Sequence, residues 1–499
     1  MAACLRDLGH EVVLLCFKRF ESRLVSPDDR EAWNRAFSRA FPPVMEAHEE
    51  GTMFCPYLHP ATDREWQLLL DKLTTLRPEL VGVTLTTATL EVARELTARV
   101  HRELAGAPVV WGGIHPTVCP EESLQDADAV CRGEGEHTLA ELCADPGRRD
   151  IAGLWRRDDG AITRNPLRPL EQELDRFPFA SYGVEEWQID DDRIVARTPD
   201  DKHYFRVVYT IMTQRGCPFS CTYCLHHVTR PMYRGQRYVR RRSVGHVLRE
   251  LEQRVRQFDL PGVSFFDDVF VLNRAWIEAF ADQYPRRIGL PFGGYGYPTA
   301  TTEEMLRRLA GAGMVFLGMG IQTGSDYVSR EIYGRRYGAA ELLQLARAAD
   351  ACGLGLNYEL LTNCPFETEA DCRATLELMT QLPRPLSMCI KKLVVFPHLK
   401  IATLDKPRPR LPETTYEFWN QLYLMARHHV IAPDRLLTLS EDAYLKEHPE
   451  IVQAIALALK TMVARGAASR AEVDRLLAES RRVSLRGFVR CARRLIRKK

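Results

Sequence analysis

Three cysteines fall within eight residues in the stretch Arg215-Gly216-Cys217-Pro218-Phe219-Ser220-Cys221-Thr222-Tyr223-Cys224. Thiolates spaced in this way on a short loop wrap one corner of an iron-sulfur cube, one cysteine to each of three irons. The fourth iron is then left without a protein ligand. An open iron suits a cluster that binds a substrate rather than one that only passes electrons. A zinc site is the competing reading, but zinc favours four ligands in two paired knuckles, and His226 and His227 follow Cys224 too closely to build the second. Chance clustering of buried cysteines is the plainest alternative.

The elements around this loop alternate between strand and helix. The apolar run Val208 to Thr213 leads into the cysteines, and further strands are expected over Val263 to Phe266, Phe292 to Tyr297, Phe316 to Gln322, Leu356 to Leu361 and Cys389 to Phe396. Helical patterns over Val244 to Phe258, from Asn273, and over Glu303 to Ala310, Ala339 to Ala351 and Glu369 to Leu382 separate them. About six βα units predict a partial parallel barrel with its site at the carboxyl ends of the strands. Those ends carry Asp267 and Asp268, then Gln322, Thr323 and Ser325, then Pro365 and Glu367. Simple structural roles compete for some of them: Asp268 as a helix N-cap, Glu367 as an acid in a first helical turn, and Arg234 to Arg242 as a solvated basic face.

The Cys-x3-Cys-x2-Cys spacing, with Tyr223 before the last cysteine, resembles the signature of the radical S-adenosylmethionine (SAM) superfamily. That resemblance implies a 4Fe-4S cluster on Cys217, Cys221 and Cys224 that cleaves SAM to a 5'-deoxyadenosyl radical. It further implies that Asp267 and Asp268 hold the SAM amino group, which offers donors and needs acceptors. Gly320-Ile321-Gln322-Thr323-Gly324-Ser325 is similar to the family's Gly-Ile-Glu-Ser-Gly-Ser, with Gln322 in the place of the acid that bonds the ribose hydroxyls. Pro365 and Glu367 match the family's turn near the adenine, and Arg242-Ser243 its helix start.

Earlier in the chain, strands over Leu80 to Leu85, Pro108 to Trp111 and Ala127 to Cys131 alternate with helices over Glu65 to Leu76 and Glu91 to Leu104 and with a short helix near Glu121, as in a parallel sheet covered on both faces. Ligands of such sheets sit beyond the strand ends, here Thr84, Thr86 and Thr87, then Gly112, Gly113, His115 and Thr117, then Gly133 and Glu134. These phrases in this order resemble the Rossmann-like cobalamin-binding domain of cobalamin-dependent radical SAM enzymes. The Asp-x-His-x-x-Gly string of methionine-synthase-type domains is absent, which implies cobalamin bound with no histidine below the cobalt. His115 reads as a turn histidine ahead of Pro116. The helix at Met1 to His10 has no strand before it, so either the native start lies upstream or the first strand is dispensed with.

The expected organisation is a cobalamin-binding domain over 1–149, a connector with no assigned chemistry over 150–205, a radical SAM barrel over 206–404 and a helical extension over 405–499. Core-facing positions in the extension are Trp419, Leu422, Ile455 and Leu459, and its end, from Arg481, is basic and amphipathic, suited either to peripheral membrane contact or to a frayed tail. A formal charge of +2 over 499 residues argues against a general nucleic-acid binder, and 14 cysteines without a secretory start point to the cytoplasm. The leading expectation is methyl transfer from methylcobalamin to an unactivated carbon of a natural-product, lipid or cofactor precursor, with a flavodoxin or ferredoxin as electron donor. An oxidative cyclase like that of anaerobic bacteriochlorophyll synthesis is the alternative, and a non-catalytic cobalamin carrier or sensor a remote one. A methylthiotransferase fits less well, because Cys4, Cys16, Cys55, Cys119, Cys131 and Cys143 show no grouping for a second cluster.

Overall fold

The computed structural model describes residues 1–17, 61–104, 106–158, 161–190, 193–198, 208–385, 387–396 and 398–464, with part of 471–477. A helix over Ala2–Asp7 precedes strand β1 (Leu14–Phe17). The helix Asp63–Leu76 then opens on a reciprocal cap between Thr62 and Glu65, which satisfies two otherwise orphaned N–H groups. Strands β2 (Val81–Leu85), β3 (Val109–Gly113) and β4 (Ala129–Cys131) follow in parallel, with helix Leu90–Glu103 crossing from β2 to β3. Val109, Trp111 and Val130 on this sheet are wholly buried, as a sheet covered on both faces requires.

The described part of the expected connector over 150–205 carries strands of its own. Strands β5 (Leu154–Asp158) and β6 (Ala161–Arg164) add to β4 in antiparallel fashion, giving the order β2-β3-β4-β5-β6. Trp155 and Ile162 pack on the N-terminal core, so the alternation of a half-buried strand is present but interrupted by arginines. Strands β7 (Glu186–Asp190) and β8 (Arg193–Arg197) form a second sheet with β1, which runs parallel to β7 and does not join β2.

The second half curls into a parallel half-barrel. Strand β9 (Tyr209–Ile211) leads to the short pair β10 (Gln214–Arg215) and β11 (Arg240–Arg241), and then come β12 (Val263–Phe265), β13 (Phe292–Tyr295), β14 (Met314–Gln322), β15 (Gly355–Thr362) and β16 (Ser387–Lys392). The long sheet reads β9-β12-β13-β14-β15-β16, every neighbour parallel. Its core is aromatic: Phe265 stacks on Phe270 at 4.3 Å, with Phe280 and Phe292 edge-on. Gly293 leaves the space that the Phe316 ring fills, since a Cβ there would lie 2.0 Å from that ring.

Beyond β16 the helices Glu413–Ala426 and Pro449–Ala464 bury Trp419, Leu422, Ile455 and Leu459. They lean on the barrel through Tyr416 Oη, which donates to Cys364 O at 2.6 Å, and Tyr423 Oη, which donates to Cys372 O at 3.0 Å. No helix among the described residues is long and apolar enough to cross a membrane. The basic segment Arg481 to Lys499, with its expected membrane contact, lies outside the described residues.

The two halves touch through charge. The Arg240 guanidinium grips Glu134 with two bonds of 2.7 and 2.9 Å, and Arg215 bonds Glu136 at 2.6 Å. Arg240→Ala removes both bonds to Glu134 and leaves that acid with Arg215 at 3.3 Å, so it is expected to destabilise the folded chain by about 1.5–3 kcal/mol, the worth of a charge-assisted hydrogen bond. Urea unfolding of the full chain checks this, together with faster proteolysis between the halves.

Candidate functional site

The cysteine loop leaves the barrel between β9 and the helix His226–Met232. Its start is fixed by Asp267 at the end of β12. That carboxylate, 1% exposed, accepts from Thr213 N–H at 2.6 Å, Thr213 Oγ1 at 2.5 Å and Gln214 N–H at 2.8 Å. Gly216 follows at φ +84°, and a Cβ there would meet Tyr238 O at 2.4 Å, so only glycine turns the chain into the loop. The middle is pinned to the segment after β14: Thr222 N–H donates to Tyr333 O at 3.0 Å and Thr222 Oγ1 to Ile332 O at 2.6 Å. The Phe219 ring stacks on Tyr297 with centroids 3.6 Å apart.

Burial pushes the Cys217 thiol up to about 12 and the Cys224 thiol up to about 11. Such thiols ionise when a metal supplies the compensating charge, and the donor set of three sulfurs fits iron. Behind them sits Arg335, buried, donating to Tyr223 Oη at 2.7 Å and lying over the Tyr337 ring at 4.5 Å. Sequence reasoning missed this arginine. A buried cation leaves no trace in periodicity, and its only signal was its place ten residues after the end of the Gly-Ile-Gln-Thr-Gly-Ser phrase at Ser325.

The other barrel candidates gather at the same end of the sheet but differ in what they are free to do. Both Asp267 oxygens are engaged by the loop, whereas Asp268 is about 41% exposed in its side chain and bonded to His226 Nε2 at 2.9 Å. Gln322 is 8% exposed, has φ +58° and sits where β14 and β15 slip register; its Oε1 has no hydrogen-bond partner. Buried amide oxygens are normally satisfied, so this one is an acceptor awaiting a donor. Thr323 and Ser325 face the neighbouring helix instead: Thr323 Oγ1 lies 3.2 Å from Thr375 Oγ1, and Ser325 Oγ donates to Asp371 at 2.5 Å. Glu367, after Pro365, accepts from Cys364 N–H at 3.0 Å, and burial pushes its carboxyl up to about 8.

In the N-terminal domain the strand-end loops are knitted together. Thr117 Oγ1 donates to Gly113 O at 2.7 Å and accepts from Gly133 N–H at 3.0 Å. Gly113, at φ +96°, approaches the end of β2 so closely that a Cβ would lie 2.7 Å from Leu85 O. Gly133, at φ +82°, receives Tyr233 from the barrel half, whose Oη would lie 2.1 Å from a Cβ. Thr87 Oγ1 is 3.1 Å from His115 Nδ1, Thr84 and Thr86 are exposed, Gly112 is the penultimate residue of β3, and Glu134 is the partner of Arg240. A shallow rim of small residues and hydroxyls of this kind can admit a large flat cofactor over the strand ends.

Comparison with known proteins agrees with this architecture. Residues 58–143 match the B12 binding domain family and residues 211–379 the Radical SAM superfamily. An uncharacterized methyltransferase of Pyrococcus horikoshii is 27% identical over 61% of this chain and 64% of its own. The anaerobic magnesium-protoporphyrin IX monomethyl ester cyclase of Rubrivivax gelatinosus is 27% identical over 52% of this chain and 47% of its own. The chain thus spans about half to two thirds of these relatives. Among solved structures, the radical SAM methyltransferase TsrM from Kitasatospora setae, with tryptophan substrate and a SAM analog bound, superposes with a TM-score of 0.55 at 24% identity, over 67% of this chain and 66% of that one. The cobalamin-dependent SAM radical enzyme OxsB, with aqua-cobalamin bound, gives 0.54 at 12% identity, over 85% and 74%. Both likenesses speak to the fold. The chain thus carries a B12 binding domain ahead of a radical SAM half-barrel, the pairing that cobalamin-dependent radical SAM enzymes have. Those two domains imply cobalamin, a 4Fe-4S cluster and SAM as the cofactors.

Glu367 makes the site's stability pH-dependent. Its folded-state pKa of about 8 lies above the ordinary 4.5, so the folded chain holds a proton that the unfolded chain has released. Stability from this group is full below the ordinary value and lost as pH rises through the folded one, by at most about 1.4 kcal/mol per pH unit. Urea unfolding of apoprotein at pH 6 and pH 8 should show Glu367→Gln losing less stability on alkalinisation than the parent chain.

Proposed function

We propose that the protein transfers a methyl group from methylcobalamin to an unactivated carbon of a small molecule, of the natural-product, lipid or cofactor-precursor class. One observation carries the reading: the loop of three cysteines at the barrel mouth and the glycine-lined strand ends of the B12-binding domain are held together through Arg215 and Arg240. When bound, the cluster with SAM supplies a 5'-deoxyadenosyl radical and methylcobalamin supplies the methyl group.

The chain's own residues position and shield. Cys217, Cys221 and Cys224 hold the cluster, and Asp267 fixes the loop that carries them. Asp268, the more accessible of the two carboxylates, is the acceptor for the SAM ammonium. Gln322 Oε1 takes a hydrogen bond from a ribose hydroxyl, with Thr323 and Ser325 bracing its turn against the helix Glu369–Gln381. Pro365 and Glu367 shape the edge next to the adenine. In the other domain Gly112, Gly113 and Gly133 keep the backbone low enough for the corrin, and Thr84, Thr86, Thr87, His115, Thr117 and Glu134 line or support that rim. A one-electron donor of the flavodoxin or ferredoxin kind completes the reaction.

The relationship to two anaerobic cyclases, at 27% and 28% identity, supports a second reading in which the substrate radical is oxidised rather than methylated. Trideuteromethyl-SAM separates the two. Methyl transfer yields S-adenosylhomocysteine together with 5'-deoxyadenosine and leaves a labelled methyl in a product, whereas oxidation yields 5'-deoxyadenosine alone. Cys221→Ala is expected to abolish 5'-deoxyadenosine. Gln322→Leu is expected to raise the SAM KM by roughly tenfold, the worth of one buried hydrogen bond. Quantifying both nucleosides by mass spectrometry in anaerobic assays checks all of these.

A further inference from the structure

Beyond its place at the cobalamin rim, His115 belongs to a group of three donor side chains, of which Cys119 and Glu122 have no part in the proposed reaction. His115 and Cys119 lie one helical turn apart at the segment Ile114–Val118, and Glu122 follows in Pro120–Ser123. One ligand atom from each of the three lies within 4.8 Å of the other two. From the far side His398, which follows β16 of the half-barrel, brings Nδ1 to 3.7 Å from Cys119 Sγ.

His115 presents an unsatisfied donor atom to this group. His115 is 2% exposed, yet its Nε2 has no hydrogen-bond partner, a costly state for a buried ring nitrogen. Its Nδ1 is 3.1 Å from Thr87 Oγ1. Donating Nδ1–H to that hydroxyl leaves the Nε2 lone pair directed at the cluster, as the outer hydrogen bonds of metal-bound histidines do. Glu122 Oε1 accepts from Arg94 at 3.1 Å, and Glu122 Oε2 faces His115 Nε2 at 3.8 Å. Around tetrahedral zinc, with Zn–S near 2.3 Å and Zn–N or Zn–O near 2.0–2.1 Å, neighbouring donors stand roughly 3.3–3.6 Å apart. The observed 3.7 and 3.8 Å close to that spacing with small side-chain rotations. A thiolate and a carboxylate balance a divalent charge, and a sulfur donor selects against magnesium and calcium.

We propose that His115, Cys119, Glu122 and His398 bind a structural zinc ion that fastens the loop after β3 of the B12-binding domain to the end of the half-barrel. The site is closed by four protein ligands and needs no substrate. It stands independently of which reaction the enzyme performs.

The test uses the full-length enzyme, reconstituted anaerobically with cluster and cobalamin and grown with zinc in the medium. Elemental analysis should find about one zinc per chain, and zinc X-ray absorption should show one sulfur and three nitrogen or oxygen neighbours. Cys119→Ser and His398→Ala, one in each half of the protein, should each lower bound zinc at least about tenfold while the iron content stays unchanged. Zinc no higher than background overturns the proposal, as does zinc that both variants retain. A shell of three sulfurs also overturns it, because that is zinc lodged in the cluster loop at Cys217, Cys221 and Cys224. Should either variant fold poorly by circular dichroism, the absorption spectrum of the parent enzyme decides alone.

Discussion

A buried carboxylate sets the geometry from which the rest of the site follows. Asp267 is removed from water and its charge is disfavoured by burial, yet three donors from Thr213 and Gln214 converge on it and Arg241 stands 3.8 Å away. Those donors belong to the residues just before the cysteine loop, so the interaction that offsets the desolvation of Asp267 also fixes where the loop begins. Gly216 then turns the chain, and Thr222 and Phe219 tie its middle to the far side of the barrel mouth. Three thiols held this firmly lose little further conformational entropy on taking up a cluster.

Charge also joins the halves. Arg215, immediately ahead of the loop, and Arg240, on the strand paired with it, both reach acids on the Gly133-Glu134-Gly135-Glu136 turn of the B12-binding domain. One short hairpin-like pair therefore carries both the approach to the cysteines and the grip on the neighbouring domain. Packing of Tyr233 against Gly133 adds a close steric fit at the same place.

Much of this was legible in the sequence. The strand and helix alternation from residue 208 to 396 places the six parallel strands, because fully buried strands carry apolar runs bounded by glycine and proline, as in Phe316 to Gln322. The cysteine spacing marked out the loop that Asp267, Gly216 and Thr222 fix at the barrel mouth, and Gln322, singled out as a departure from the family's acid, is a buried amide with an orphan acceptor. Four features were not legible. β5 to β8 are short, charge-interrupted strands, and the parallel pairing of β7 with β1 joins segments at opposite ends of the first two hundred residues. The commitment of Asp267 to the loop depends on a contact across 54 residues. Arg335 and the approach of His398 to Cys119 are likewise long-range juxtapositions, over 112 and 279 residues, that no local pattern encodes.

The central claim is that one chain holds the cluster and cobalamin together across the seam between its halves. Electron paramagnetic resonance of anaerobically reconstituted enzyme, with the cluster reduced and cobalamin as cob(II)alamin, tests it directly. The account predicts two paramagnets in one chain whose spectra are altered by each other, and a cobalt signal without nitrogen splitting from a lower histidine. Spectra that simply add, or a cobalt signal split by an axial nitrogen, would contradict it.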